Sequence, residues 1–252
     1  PAKRRADYRP PTFLVPTVEI EFDLDPDATR VTTTLAFRRN PAASAIEVRS
    51  PLVLDGRQQT DVEVELDGVT LTAPRIVLDH DRLTINDPPR AGTLTVRSTH
   101  APARNVELEG LYISSGVFCT QCEPEGFRRI TYFPDRPDVL ATYTVTIRAD
   151  RARYPVLLSN GNLVEQGESG DGRHYAKWHD PFPKPSYLFA LVAGDIAELT
   201  DTYTTASGRN VRLSIHSTPQ NLPRCTHAMA SLKHAMRWDE VRFGREYDLD
   251  RF

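Results

Sequence analysis

The sequence has 252 residues, of which 39% are hydrophobic and 26% charged, and its formal net charge is −3. This size allows one large or two modest domains, and the charge excludes the basic face that nucleic acids or anionic membranes would favour. No apolar run reaches the roughly 20 residues of a membrane span and no signal-peptide core follows the basic start, so we expect a cytoplasmic protein without membrane or nucleic-acid partners.

The first part of the chain is predicted to consist of β-strands. Between residues 13 and 24, Val18, Ile20 and Phe22 alternate with acidic residues, which is the period of a half-buried strand. Residues 30–39 repeat this alternation. Shorter strands, each bounded by Gly, Pro or Asp, are predicted at 45–54, 61–66, 69–72, 82–85 and 93–98.

Residues 109–138 interrupt the strand pattern. They contain two cysteines, a Gln-x-Glu sequence, an Arg-Arg pair and three prolines, and they follow neither a helical nor a strand period. A polar and irregular segment between well-patterned strands is typical of a functional loop. We therefore predict that binding or catalytic residues lie here.

The strands are predicted to resume at 140–149. Residues 154–178 have the pattern of a three-stranded meander, with hairpin signals at Asn160-Gly161 and Asp171-Gly172. Residues 180–185 contain three prolines and are predicted to lie outside any strand, because proline cannot donate to a β-ladder. Further strands are predicted at 187–193, where both faces would be covered, and at 199–205 and 210–217.

One helix is predicted near the end of the sequence. Asn221 is expected to cap it, with Pro223 in its first turn, and Gly244 to stop it. A single helix cannot form a second core, so it either packs on the strands or belongs to a domain whose remainder lies outside this sequence. Its predicted apolar stripe consists of Met229, Leu232, Met236 and Phe243.

Cys119 and Cys122 form a C-x-x-C pattern that is weak evidence for a site. A structural zinc site needs a second pair of ligands and a thioredoxin-like site needs a βαβ context, and neither accompanies the pattern. With Cys225 there are three cysteines, an odd number, so we predict reduced thiols and retain a redox or metal protein as the alternative.

The seven histidines are scattered without an HExxH motif and are predicted to be surface or capping residues. No metal ligand and no complete catalytic set is predicted in this chain.

Gln121 and Glu123 are the strongest candidates for ligand binding. Positions i and i+2 of an extended loop face the same way, so an amide oxygen and a carboxylate converge on one point. Such a pair suits a primary ammonium group through charge-assisted hydrogen bonds. The alternative is that Glu123 pairs with Arg128 or Arg129 on the surface. Residues 135–138, Asp-Arg-Pro-Asp, are predicted to form a local salt-bridged turn.

Several motifs together resemble one family. In chain order they are LEGLY from Leu108, CTQCEPEGFR from Cys119, DRPDV from Asp135, LSNGN from Leu158, DPFPKP from Asp180, YLFALVAGD from Tyr187 and KHAMRWDEVRFGREYDLD from Lys233. They closely resemble the bacterial aminopeptidase N branch of the zinc metallo-aminopeptidases, the gluzincins. The resemblance implies a mainly β fold, with a saddle-shaped antiparallel, β-sandwich-like N-terminal domain over residues 1–195. Residues 196–252, strands and then one helix, would begin a truncated thermolysin-like catalytic domain.

The resemblance also implies a division of roles. In that family the Gln-x-Glu of the β domain binds the free α-amino group of a peptide, and Gln121 and Glu123 match it. The zinc ligands and catalytic residues lie further along the family pattern, beyond Phe252, so zinc is expected in the full-length enzyme and not in this chain. The expected function is that of an inactive N-terminal part of an enzyme that releases N-terminal amino acids from peptides, with the missing catalytic domain as its partner. The alternative is a stand-alone β-sandwich binding module without activity.

Overall fold

The computed structural model describes residues 4–43 and 50–252 of the chain. Over these residues the protein is mainly β, as predicted, with 17 strands and one α-helix, α1, at Cys225–Phe243. None of the described helical segments has the length and apolar character needed to cross a membrane. The chain divides into two compact units, Pro1–Ala193 and Gly194–Phe252.

The strands and short helical turns follow one another along the chain. The strands are β1 (Phe13–Asp23), β2 (Thr29–Arg39), β3 (Leu52–Asp55), β4 (Thr60–Leu66), β5 (Val69–Thr70), β6 (Ile76–Leu78), β7 (Arg82–Ile85), β8 (Ala91–His100), β9 (Gly110–Ser114), β10 (Val117–Gln121), β11 (Leu140–Asp150), β12 (Val156–Ser159), β13 (Asn162–Gly170), β14 (Arg173–Pro185), β15 (Leu191–Gly194), β16 (Ala197–Thr204) and β17 (Asn210–Ser217). The 3-10 turns are Arg5–Asp7, Pro102–Arg104, Phe127–Arg129, Ser186–Leu188 and Leu222–Arg224.

The largest sheet of the first unit has eight strands in the order β13-β14-β11-β1-β2-β8-β4-β5. The predicted alternation in β1 is confirmed, because Val18, Ile20 and Phe22 are all buried while the acidic residues between them are exposed. One pairing differs from the expected antiparallel arrangement, since β1 and β11 run parallel. The two strands are far apart in sequence, and apolar alternation is the same for either direction, so no local pattern could predict it.

A four-stranded sheet of the first unit has the order β12-β15-β10-β9, and a three-stranded sheet the order β3-β7-β6. The predicted meander over 154–178 is confirmed in part, because β13 and β14 form a hairpin, but β12 joins β15 instead of pairing with β13. The Asn160 amide accepts the Ala190 N–H at 2.7 Å and donates to the Leu188 carbonyl at 3.1 Å. At Gly161, where φ is +90°, a Cβ would lie 2.6 Å from the Asp180 nitrogen. Asn160-Gly161 therefore serves a close chain crossing and not a hairpin.

Strand β14 continues through residues 180–185, where a break was predicted. Its pairing with β11 extends to Leu140 opposite Pro185, with a register shift between Ala141 and Tyr143. β13 pairs with β14 only as far as His179, so residues 180–185 have an open edge on that side. Proline is tolerated at such an edge because no ladder bond is lost there.

Two shorter predictions also need correction. The predicted strand 187–193 is a 3-10 turn followed by β15, and Leu188 is 48% exposed. Of the predicted strand 45–54, residues 45–49 lie outside the described part, and β3 begins at Leu52. Strand β6 was not predicted, since three residues are too few to show a period.

The second unit combines the predicted hairpin β16-β17 with helix α1. Its core consists of Tyr203, Val211, Leu213, Met229 and Met236. Met229 and Met236 are thus core residues as predicted, and Leu232 packs against them.

The ends of α1 differ in part from the prediction. Gly244 ends the helix in the left-handed conformation at φ +63°, as predicted. Asn221 does not cap it, because its amide donates to the Thr218 hydroxyl and a 3-10 turn comes first. Phe243 is 60% exposed. At 3.6 residues per turn, a residue 14 positions beyond Met229 is rotated about 40° off the stripe.

Candidate functional site

Segment 109–138 begins as a β-hairpin and not as an irregular loop. β9 and β10 pair from Ser114 opposite Val117 to Gly110 opposite Gln121. The two turn residues both have positive φ, +50° at Ser115 and +81° at Gly116. A Ser-Gly pair is a turn signal, so the sequence contained the evidence for this hairpin. Only the part after β10 is irregular, and it runs through the turn 122–129 to the start of β11.

Gln121 and Glu123 lie side by side on the surface where β10 ends. Gln121 is the last residue of the strand, and its amide donates a hydrogen bond of 2.8 Å to the Glu123 carbonyl oxygen. Both residues are exposed, and the peptide bond after Glu123 is cis. Within the described ranges 4–43 and 50–252, the Gln121 amide oxygen and the Glu123 carboxylate have no protein partner. They are thus an acceptor and an anion available to a ligand with donors.

The alternative pairing of Glu123 with an arginine does not form among the described residues. Arg128 instead contacts Asp135, with its Nε 3.0 Å from the carboxylate, and more weakly Asp55 and Glu125. Burial opposes the positive charge of Arg128, but the hydrogen bond that it donates to Asp135 and the charges of these carboxylates outweigh burial, so the pKa of Arg128 lies above its ordinary value.

Arg129 is a buried cation, with only 4% of its side chain exposed. It pairs with Glu107 and, at 2.9 Å, with Glu109, and its Nη1 donates to the Gln58 amide oxygen at 2.5 Å. Hydrogen bonds from Gln58 and Arg129 hold the pKa of Glu107 below its usual value. A Cβ at Gly110 would lie 2.6 Å from the Arg129 Cβ, so the start of β9 packs directly on this residue. The network ties the turn to the hairpin.

Asp135 lies beneath the turn, with 2% of its side chain exposed. Its Oδ2 accepts the backbone N–H of Arg128 at 3.2 Å and the Arg128 Nε at 3.0 Å, and its Oδ1 accepts the Ser186 hydroxyl at 2.5 Å. The predicted local turn is confirmed for Arg136 and Asp138, whose charged atoms are 2.7 Å apart. It is wrong for Asp135, which reaches across 51 residues to Ser186.

Phe127 anchors the turn in the apolar core. It is fully buried, and its ring meets the rings of Phe133, Phe189 and Tyr143 at centroid distances of 5.3, 5.2 and 6.0 Å. These edge-on contacts are the geometry that aromatic pairs prefer. The exposed residues of the turn therefore stand on a well-packed base.

The cysteines form no disulfide, and Cys122 is buried while Cys119 and Cys225 are partly buried. Burial raises the pKa of the Cys122 thiol well above its ordinary value, which makes the thiol unreactive. In the part of the chain that the structure describes, no three His, Cys, Asp or Glu residues are grouped as a metal site.

The prediction of surface or capping histidines is wrong for His100. Its ring lies 2.9 Å from the Ser98 hydroxyl, and burial lowers the pKa of His100 to about 4. The sequence held a signal for this position, because His100 continues the inward alternation of Leu94 and Val96 along β8.

Comparisons with known proteins find peptidases of similar sequence and fold. Residues 105–188 match the peptidase M1 N-terminal domain. Aminopeptidase N of Caulobacter vibrioides is 52% identical over 247 residues, which are 98% of this chain and 28% of that protein. The crystal structure of Legionella pneumophila aminopeptidase A in complex with aspartic acid matches at a TM-score of 0.92 and 38% identity, over 99% of this chain and 29% of that one.

A more distant solved structure shares the fold. The M1 zinc metallopeptidase of Deinococcus radiodurans, an E323A mutant bound to a Tyr-Ser-Ala substrate, matches at a TM-score of 0.75 and 18% identity. The match covers 96% of this chain and 56% of that one. The chain thus spans less than a third of the length of its relatives from Caulobacter and Legionella.

Proposed function

We propose that this chain binds the free amino group of a peptide substrate through Gln121 and Glu123, since residues 105–188 match the peptidase M1 N-terminal domain. The observation that carries this proposal is the unpaired Glu123 carboxylate beside the open amide oxygen of Gln121. Arg128 and Arg129 are paired with other carboxylates, so the Glu123 carboxylate is available to a cationic ligand.

The chemistry of this pair is capture and orientation. A carboxylate and an amide oxygen accept two of the three hydrogen bonds that a primary ammonium donates. A peptide held by its amino end presents its first peptide bond at a fixed distance from the site, which favours release of the N-terminal residue over internal cleavage. The bond-breaking step belongs to residues outside those described.

We propose that the full-length protein is a zinc aminopeptidase, since one relative is named aminopeptidase N and another M1 zinc metallopeptidase. Zinc has no fitting donor set among residues 4–43 and 50–252, so no step through the metal is assigned to this chain. We further propose that residues 1–195 form the amine-binding β domain and that residues 196–252 begin the catalytic domain, which is its partner. A cytoplasmic location, in keeping with three unpaired cysteines, is part of the same proposal.

Glu123→Gln in the full-length enzyme is expected to lower kcat/KM for an aminoacyl nitroanilide by about 10- to 100-fold, because a hydrogen bond to a charged group contributes about 1.5–3 kcal/mol. Gln121→Ala should act in the same direction with a smaller effect. A desamino analogue lacks the ammonium group, so its inhibition constant should be unchanged by either substitution.

The matched control for this experiment is Glu125→Gln, which removes an exposed carboxylate two residues along the same turn. It should leave kcat/KM within about twofold, since that carboxylate is paired with Arg128 in a surface ion pair. Equal activity of the Glu123→Gln variant and the unaltered enzyme would refute the proposed amine site and favour a binding module of another kind.

The 252-residue chain alone is expected to bind no zinc and to cleave no aminoacyl substrate, since its described residues offer no metal-binding cluster. Elemental analysis of the purified chain after dialysis against zinc checks this. One equivalent of zinc per chain that survives a chelating resin would contradict the division of roles between the two domains.

A further inference from the structure

The turn that carries Glu123 is held at both ends while its exposed middle has few bonds of its own. At the near end β10 pairs with β9, and within the turn the Gly126 N–H donates to the Cys122 carbonyl at 2.9 Å. Glu125 has φ +68°, a left-handed conformation that a residue with a side chain adopts only where its surroundings impose it. The far end of the turn must therefore be fixed by contacts outside it.

Those contacts converge on the buried carboxylate of Asp135. This side chain receives the backbone N–H and the Nε of Arg128, while Arg128 Nη2 also donates to the Asp135 carbonyl at 3.1 Å. On its other side the carboxylate receives the hydroxyl of Ser186, which is itself buried. Arg128 directly follows Phe127 at the end of the turn. Asp135 thus fixes the backbone of the turn as well as a side chain.

We propose that Asp135 is a positioning residue that, through Arg128 and Ser186, holds Gln121 and Glu123 in the geometry that binds an amino group. This inference rests on the proposed function. Asp135 lies below the surface, with 2% of its side chain exposed, so its proposed action is through the turn and not by contact with a substrate. Misplacement of a binding group by about 1 Å costs up to about 100-fold in rate, which is the scale of effect that such a residue controls.

The test is a double-mutant cycle in the full-length enzyme with an aminoacyl nitroanilide as substrate. Asp135→Ala is expected to lower kcat/KM at least tenfold, chiefly through a higher KM. Asp135→Asn should retain activity within about threefold, because its amide oxygen still accepts the Arg128 donors and its amide nitrogen can donate to the Ser186 oxygen. In the Glu123→Gln background, Asp135→Ala should cost less than about threefold, since the group that it positions is already disabled.

The cycle separates positioning from a general structural role. If Asp135→Ala lowers kcat/KM by the same factor in both backgrounds, or does not lower it at all, the inference is overturned while the amine site stands. If Glu123→Gln alone has no effect, the proposed function fails and the inference fails with it. Should Asp135→Ala not fold, Ser186→Ala takes its place in the cycle, with a threefold to tenfold loss expected that disappears in the Glu123→Gln background.

Discussion

Phe127→Ala is expected to lower the free energy of unfolding of the Pro1–Ala193 unit by about 3–5 kcal/mol, the range for removing a buried aromatic side chain. The ring is fully buried, and three other aromatic rings pack on it at centroid distances of 5.2–6.0 Å. Its removal leaves a cavity, and because the neighbouring rings lie in a close-packed core, they cannot move far enough to fill it. This loss is a large fraction of the stability of a typical domain.

The measurement is urea unfolding of the chain, followed by the fluorescence of buried Trp178 in a Trp238→Phe background, which leaves one reporter in the first unit. Phe182→Ala is the matched control, because that ring is 45% exposed and its removal should cost less than about 1 kcal/mol. A loss at Phe127 no larger than at Phe182 would contradict the role of Phe127 as the base of the turn.

Much of the fold follows from side-chain alternation, which reports on burial but not on pairing. The burial of Val18, Ile20 and Phe22 was predictable, because a strand with one face on the core places every second side chain inward. The transfer of β12 to another sheet was not predictable, since the Asn160-Gly161 pair permits both a hairpin and a close crossing. The difference lies in His179 and Asp180, which meet Gly161 only in the folded chain.

The candidate site also has a part that the sequence predicts and a part that it does not. Gln121 and Glu123 could be selected from their i, i+2 spacing and from the family resemblance, and the structure leaves both open to a ligand. The residues that support them could not be identified from the sequence, because Asp135 contacts Ser186 across 51 residues and Arg129 contacts Gln58 across 71 residues. Sequence spacing predicts ion pairs between neighbouring residues. It cannot show which of several carboxylates an arginine pairs with in a packed core.

Gly126 is the position where close packing most directly supports the proposed amine site. Its φ of −83° is open to any residue, so backbone strain does not require glycine here. Lack of space requires glycine here, because a Cβ would overlap the Gln121 carbonyl oxygen and lie 2.8 Å from the Cys122 Cα. Both obstacles are backbone atoms at the end of β10, and they can yield only if the strand end or the turn moves. Gln121 would move with them.

Gly126→Ala is therefore expected to lower the free energy of unfolding by about 3 kcal/mol, the upper end of the usual cost of over-packing, and to lower kcat/KM of the full-length enzyme at least tenfold. Urea unfolding and nitroanilide kinetics measure the two effects. Gly116→Asn is the matched control at the tip of the same hairpin, where a Cβ meets nothing within 4 Å and asparagine tolerates the φ of +81°. Full stability with full activity in Gly126→Ala would mean that the strand end yields freely, and that the turn does not depend on close packing to hold Glu123.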